Sequence, residues 1–314
     1  MKAVFMGTPE FAVPCLEKLN EYCQVVCVVS QTDKPKGRGK TMQSPPVKLC
    51  ADELGIPCIQ PKTLRDEEVQ KVLASYGADV FVVVAYGKIL PKEVLDIPPM
   101  GCINVHGSLL PEYRGAAPMQ RSLIDGKTKT GITTMYMNEG LDTGDMLLKE
   151  EVAITPDMNY GELSEIMSKT GADLLIKTLD GLSDGSLKGT AQDDSFATYA
   201  KKIEKSDLKV DFSESAEKIH NFIRGVYPSL SAYGYIENAK GKKMIKFASS
   251  SFIEKSCGKP AGEVILCDDK ISEIHIACGE GVLVIKELIP EGKGKMRSAD
   301  YIRGRQIKTG DIVF

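Results

Sequence analysis

Asn104 and His106 stand two residues apart, interleaved with the apolar Ile103 and Val105, in the stretch Gly101–Pro118 (GCINVHGSLLPEYRGAAP). If that run is a strand, side chains two apart leave the same face, so an amide and an imidazole project together from a strand end. A third group, Asp142, sits in the loop of residues 138–145 (NEGLDTGD). A carboxylate bonded to an imidazole fixes its tautomer and raises its pKa from about 6.5, giving an acid/base near neutrality. An Asn amide is a neutral donor able to hold an oxyanion on a tetrahedral intermediate. No reactive Ser or Cys accompanies them, and Cys102, one step deeper on the face of Asn104, reads as core. Such a set suits direct acyl transfer to an amine. Taken alone, His106 reads as a core histidine with satisfied nitrogens; the shared face with Asn104, the Gly/Pro-rich turn after it and the second loop argue against that.

The elements that must carry these groups are those of an open α/β sheet. Ala3–Met6 and Val25–Val29 are apolar runs flanking an amphipathic segment (Phe11, Val13, Cys15, Leu16, Leu19), with Thr8 expected as cap, Pro9 first in the helix and Glu10 in its first turn. This is β-α-β. Asp79–Ala85 (DVFVVVA) is the most continuous apolar run and is expected as a central parallel strand. Helices are expected over 47–54, 67–75, 119–124 and 158–182, and a strand over 131–137. In such sheets ligands bind beyond the carboxyl ends of the strands, which is where His106 falls. Gly7 is the only glycine of the first turn, so the GxGxxG dinucleotide fingerprint is absent and a nicotinamide cofactor is disfavoured.

From Asp207 the pattern changes. One helix (216–223) precedes five short β-type runs, over 232–236, 244–248, 263–266, 273–278 and 282–288, and a final short helix with Ser298 as its cap. Five short strands in about a hundred residues suggest a small barrel. The expected organisation is a doubly wound, mostly parallel Rossmann-like domain over 1–189, a polar linker over 190–206 and a small barrel over 207–314.

Composition narrows the class. The 314 residues are 42% hydrophobic and 26% charged, typical of a globular protein, and no apolar run reaches the length of a membrane span. The N-terminus does not read as a signal peptide, and nine scattered cysteines without a CxxC pair suit a reducing cytoplasm. Three histidines and no HExxH spacing argue against a bound metal. Net charge is −3, yet residues 207–314 hold 17 Lys+Arg against 15 Asp+Glu, leaving 23 against 28 elsewhere. Residues 31–48 (QTDKPKGRGKTMQSPPVK) add a local basic run with Lys34, Lys36, Arg38, Lys40 and Lys48 against one acid. By composition this is a long exposed loop, a solvated charge run or a functional one.

These residues together resemble a known family. GCINVHGSLLPEYRGAAP followed by GLDTGDM is similar to the signature of the folate-dependent formyltransferases. The resemblance implies Asn104, His106 and Asp142 as the catalytic residues, and Ser108, Leu109, Leu110 and Pro111 as the segment at the tetrahydrofolate group. Within that superfamily the likeness runs end to end with the methionyl-tRNA formyltransferases, through GTPEFA (residues 7–12) and the loop QTDKPKGRGK. It implies that this loop meets the acceptor stem of initiator tRNA, with Arg38 as chief contact and Lys34, Lys36 and Lys40 beside it. It also implies an oligonucleotide-binding-like (OB-like) C-terminal barrel. 10-Formyltetrahydrofolate would be a consumed co-substrate, with no permanently bound cofactor and no metal, and the chain is expected to act as a cytoplasmic monomer in translation initiation. One departure stands out: NFIRGVYPSLSA (residues 221–232) has Gly225 and Leu230 where the family has Ala and Pro. Other readings are the same chemistry on an amino-sugar nucleotide, hydrolysis with water as acceptor, and an RNA-binding protein with a vestigial enzyme fold.

Overall fold

The longest apolar run forms a strand over Val80–Val84 in which every residue is buried. Full burial on both faces is what a central parallel strand requires, and each such Val or Phe side chain adds about 1.5–3 kcal/mol of apolar transfer. The computed structural model describes residues 1–36, 41–238 and 241–314. In chain order the elements of its first part are β1 (Lys2–Gly7), α1 (Val13–Tyr22), β2 (Gln24–Val29), β3 (Lys34–Lys36), β4 (Thr41–Gln43), α2 (Pro46–Glu53), β5 (Cys58–Ile59), α3 (Glu67–Ser75), β6 (Val80–Val84), α4 (Lys92–Leu95), β7 (Cys102–His106), α5 (Pro118–Ile124), β8 (Lys129–Tyr136), β9 (Met146–Ala153) and α6 (Tyr160–Ser183).

Seven of these strands make one sheet in the order β5-β2-β1-β6-β7-β8-β9. The pairs β1–β2, β1–β6, β2–β5 and β6–β7 are parallel, whereas β8 runs antiparallel to β7. The Rossmann-like sheet expected from the sequence is the one observed. One face packs on a core of Val4, Met6, Val29, Leu73, Phe81, Val83, Tyr86 and Val94. Three local expectations are corrected. The Thr8 hydroxyl donates to the Tyr86 carbonyl (3.0 Å) instead of capping, and a 3₁₀ turn over Glu10–Ala12 precedes α1, which carries Pro14 in its first turn. Strand β9 escaped the sequence reading altogether. Residues 31–48 are not a plain loop either: Lys34, Pro35 and Lys36 pair antiparallel with Gln43, Met42 and Thr41, and α2 begins at Pro46.

Backbone contacts divide the chain into two units, Met1–Pro118 with Thr130–Ala153 and Ser164–Lys201, and Met119–Lys129 with Ile154–Leu163 and Lys202–Phe314. Residues 190–201, read as linker, are held in the first unit by backbone hydrogen bonds: Thr190 exchanges two with Met146, Arg114 donates to Thr198, and Ala200 donates to Arg114.

The second unit continues with α7 (Ala216–Val226), β10 (Tyr233–Asn238), β11 (Gly241–Ile253), β12 (Val264–Asp268), β13 (Glu273–Ala277), β14 (Val282–Pro290), β15 (Met296–Arg297), α8 (Ser298–Arg303) and β16 (Ile312–Val313). Its antiparallel sheet runs β12-β13-β14-β11-β10-β16, with β15 beside β14. The sheet curls until its ends meet, Val264 donating to Asp311 (2.8 Å) and Val313 to Gly262 (2.9 Å). That satisfies the groups an open edge would leave unpaired. Ser298 opens α8 but does not cap it, because its buried hydroxyl donates to the Ile285 carbonyl (2.7 Å).

Helix α7 is capped by Ser215, whose hydroxyl accepts from the Lys218 N–H (3.3 Å). Gly225 permits close packing: a Cβ there would lie 2.7 Å from Ile124 Cγ1. His220 is buried, with Nε2 donating to the Pro156 carbonyl (3.3 Å) and Nδ1 accepting from the Ser250 hydroxyl (3.0 Å). Burial, with the Arg224 cation nearby, holds its pKa below the ordinary imidazole value. An unfolded imidazole therefore binds its proton at higher pH than this one, so the contribution of His220 to stability is complete above about pH 6.5 and declines as pH falls through that value. Thermal melts between pH 7.5 and 5.5 should show the decline in the wild type and a weaker one in His220→Gln. Equal pH dependence in the two proteins would contradict it.

Candidate active site

Strand β7 carries Asn104 and His106 on one face at its carboxyl end, both buried. In the sheet Asn104 lies between Val83 and Met135, and His106 lies opposite Thr133. The His106 Nε2 is 3.0 Å from the Tyr113 carbonyl oxygen. A carbonyl only accepts, so Nε2 carries the hydrogen, and in the neutral ring Nδ1 holds the lone pair. Nδ1 faces Asp142, with 3.7 Å to Oδ2. That distance is too long for a direct hydrogen bond but suits an ion pair with the imidazolium. The ring is thus oriented by the Tyr113 carbonyl, not by the carboxylate as the sequence reading had it.

Asp142 adopts a left-handed backbone (φ 52°) in the turn between β8 and β9. Its Oδ2 accepts from the Gly115 N–H (2.8 Å). Gly115 has φ 122°, and a Cβ there would stand 2.8 Å from the Ala200 carbonyl oxygen, so only glycine suits this approach. The Asn104 amide makes no hydrogen bond among the described residues, although most buried polar groups are paired. Its donors remain available to a ligand.

The segment Ser108–Pro111 is braced from within. The Ser108 hydroxyl donates to the Glu112 carbonyl (2.6 Å). Thr133 Oγ1 donates to the Ser108 carbonyl (2.7 Å) and accepts from the Leu110 N–H (3.1 Å). The Lys149 ammonium donates to the Leu110 carbonyl (2.5 Å), and burial pulls its pKa below the ordinary lysine value. Ser108 and Leu110 are buried; Leu109 and Pro111 keep part of their surface.

The basic stretch is pinned at its base. The Lys34 ammonium donates to Gln31 Oε1 (2.8 Å), while Gln31 Nε2 donates to the Tyr86 carbonyl (2.8 Å). Asp33 accepts from Gln60 Nε2 (2.8 Å) and the Ser44 hydroxyl (3.2 Å), with Lys48 Nζ at 3.6 Å. The Gln60 amide foremost holds the Asp33 carboxyl below its ordinary range. Arg38 and Lys40 lie outside the described residues, as does the side chain of Lys36.

The site also includes residues the sequence reading missed. Arg114 is buried, and both its Nε (3.0 Å) and Nη2 (2.7 Å) donate to Gln192 Oε1. Gln192 Nε2 in turn donates to the carbonyls of Asp142 and Gly144, each at 2.8 Å. No group of His, Cys, Asp or Glu among the described residues could hold a metal ion. What this arrangement offers is a free amide donor, an imidazole with one nitrogen fixed and one open, and a carboxylate beside the open one.

Comparison with known proteins identifies the family. The formyl transferase family model matches residues 1–179, and that of the formyl transferase C-terminal domain matches 202–306. The methionyl-tRNA formyltransferase of Ruminiclostridium cellulolyticum is 46% identical over 316 residues, covering 99% of each chain. That of Clostridium novyi is 45% identical over 314 residues, covering 100% of both. Among solved structures, an N-formyltransferase from Helicobacter canadensis with folinic acid and dTDP-3-aminofucose shares the fold (TM-score 0.63, 16% identity, 94% of this chain and 100% of that one). So does HypX from Aquifex aeolicus with tetrahydrofolic acid (TM-score 0.64, 14% identity, 96% of this chain and 47% of that one). Full-length likeness at this level, with family models matching both parts of the chain, establishes that the chain belongs to the methionyl-tRNA formyltransferase family of formyl transferases.

Proposed function

We propose that this chain transfers the formyl group of 10-formyltetrahydrofolate to the α-amino group of methionyl initiator tRNA by direct attack, with Asn104, His106 and Asp142 as the catalytic residues. The observation that carries the reading is the open Nδ1 of His106 beside Asp142, with the unspent amide of Asn104 on the same strand face. The amine nitrogen attacks the formyl carbon, and the carbonyl oxygen becomes an oxyanion that the Asn104 amide stabilises. His106 Nδ1 takes the proton of the attacking amine, the Asp142 carboxylate stabilises the imidazolium so formed, and the proton passes to the departing folate nitrogen. The C–N bond to folate then breaks. Leu109 and Pro111 offer surface to the folate ring, while Ser108 and Leu110 brace the turn that presents them.

The acceptor is assigned to Lys34, Lys36, Arg38 and Lys40 together with the basic residues of the second unit, as phosphate contacts. The anchoring of residues 31–36 by Gln31, Asp33 and Gln60 supports this, since a fixed base directs a basic segment toward one partner. A monomer supplies every residue of the reaction, and a translation enzyme of this kind works in the cytoplasm. No described helix is long and apolar enough to cross a membrane.

The test offers 10-formyltetrahydrofolate with charged initiator tRNA, charged elongator tRNA or an amino-sugar nucleotide. Formylation of the initiator alone is expected, and formylation of the sugar would overturn the acceptor. In the same assay Arg38→Ala should raise KM for tRNA far more than for folate. Equal effects on both would remove the basic segment from tRNA recognition.

A further inference from the structure

We propose that Gln192 and Arg114 are positioning residues that set the Asp142 carboxylate against His106 and so govern the rate of proton transfer. The inference rests on the reading of His106 and Asp142 given above. The turn carrying Asp142 has few ties of its own: Asn138 Oδ1 accepts from the Gly140 N–H (3.0 Å) and from the Thr143 hydroxyl (2.9 Å). Neither bond touches Asp142, whose left-handed backbone is uncommon for a residue with a side chain. What holds it comes from about fifty residues away. Both amide hydrogens of Gln192 go to this turn, one to the carbonyl of Asp142 and one to that of Gly144. The amide oxygen is occupied by the Arg114 guanidinium, which also reaches Asp194 Oδ1 (2.7 Å).

These bonds close a ring. From Arg114 the chain passes to Gly115, whose N–H donates to the Asp142 carboxylate; from the Asp142 carbonyl the path returns through Gln192 to Arg114. Arg114 is itself fixed by backbone bonds to Thr198 and Ala200. The ring therefore fixes Asp142 at both its backbone and its carboxylate. Every polar atom of the Gln192 amide is used, so no other residue type reproduces the pattern. Glutamate keeps the Arg114 partner but has no donor for the two carbonyls, and alanine removes both. A misplacement of about 1 Å in a catalytic group reduces rate on the order of 10²-fold.

The test is a double-mutant cycle in the formylation assay, using Gln192→Ala, Gln192→Glu, Asp142→Asn and each Gln192 variant combined with Asp142→Asn. In the otherwise native chain, Gln192→Ala is expected to lower kcat about 10²-fold while KM for folate and for tRNA moves less than about 3-fold. In the Asp142→Asn background the same change should lower kcat by less than about 3-fold, because the group it positions is gone. Losses that multiply fully across the cycle would overturn the proposal, since Gln192 would then act independently of Asp142; so would an unchanged kcat in both Gln192 variants. If Gln192→Ala fails to fold, Gln192→Glu carries the same cycle. If Asp142→Asn alone retains normal turnover, the catalytic reading of Asp142 falls and this inference with it. If Asp142→Asn is slow but Gln192→Ala is not, only the positioning role is lost.

Discussion

His106→Ala is expected to lower kcat for formyl transfer about 10²–10⁴-fold, the span of a lost general acid/base. The size follows from how the imidazole is held. Its Nε2 is committed to the Tyr113 carbonyl, so Nδ1 is the nitrogen left to take a proton. An alanine leaves the attacking amine to shed its proton to solvent, since the Asp142 carboxylate stands 3.7 Å from Nδ1 and already accepts from the Gly115 N–H. KM for both substrates should change little, because an acid/base acts in the transition state and not in ground-state binding. Single-turnover formylation with pre-bound tRNA and folate is the measurement. Turnover near normal would remove His106 from the mechanism, and a melt of the variant checks that the fold survives.

Asn104→Ala is expected to reduce kcat about 10²–10³-fold, the usual consequence of losing one oxyanion donor. A buried side-chain amide is normally paired. That of Asn104 makes no hydrogen bond among the described residues, so its donors are open to the developing oxyanion. Asn104→Asp should be at least as slow, since it places an acceptor carboxylate where negative charge must develop. Retained kcat with a raised KM for folate would assign Asn104 to substrate binding instead.

The elements that bury continuous apolar surface were legible in the sequence. Val80–Val84 announces a central strand because, with Ala85, it is a run of six apolar residues rich in β-branched valine between a Gly-Ala-Asp turn and a Tyr-Gly turn. Asn104 and His106 were equally readable, since the two-residue period alone places them on one face. Strand β9 (MLLKEEVA) was missed because it lies at the sheet edge, with Lys149, Glu150 and Glu151 at its centre and half its residues exposed. Residues 190–201 looked like a linker because they are polar and mostly exposed. Their order comes from backbone bonds and one glutamine, which no hydrophobic pattern records. Arg114 and Gln192 meet across 78 positions, a pairing without local trace. Gly115 was the one available clue, a glycine following an arginine where the chain needs a positive φ and no Cβ. Ser298 and Thr8 failed as caps for a common reason: a hydroxyl near a helix start can be claimed by a distant carbonyl.

The second unit is assembled from three stretches, with Met119–Lys129 and Ile154–Leu163 lying far upstream of the barrel. Arg224 Nη1 donates to the carbonyl of Met158 (3.1 Å), and the His220 imidazole to that of Pro156. A fragment beginning at residue 207 would leave a buried cation and a buried imidazole without those acceptors, and would lack the 119–129 segment on which Gly225 packs. The barrel is therefore not a detachable cassette. Grafting it onto another enzyme, or expressing it alone, requires carrying the two upstream stretches along.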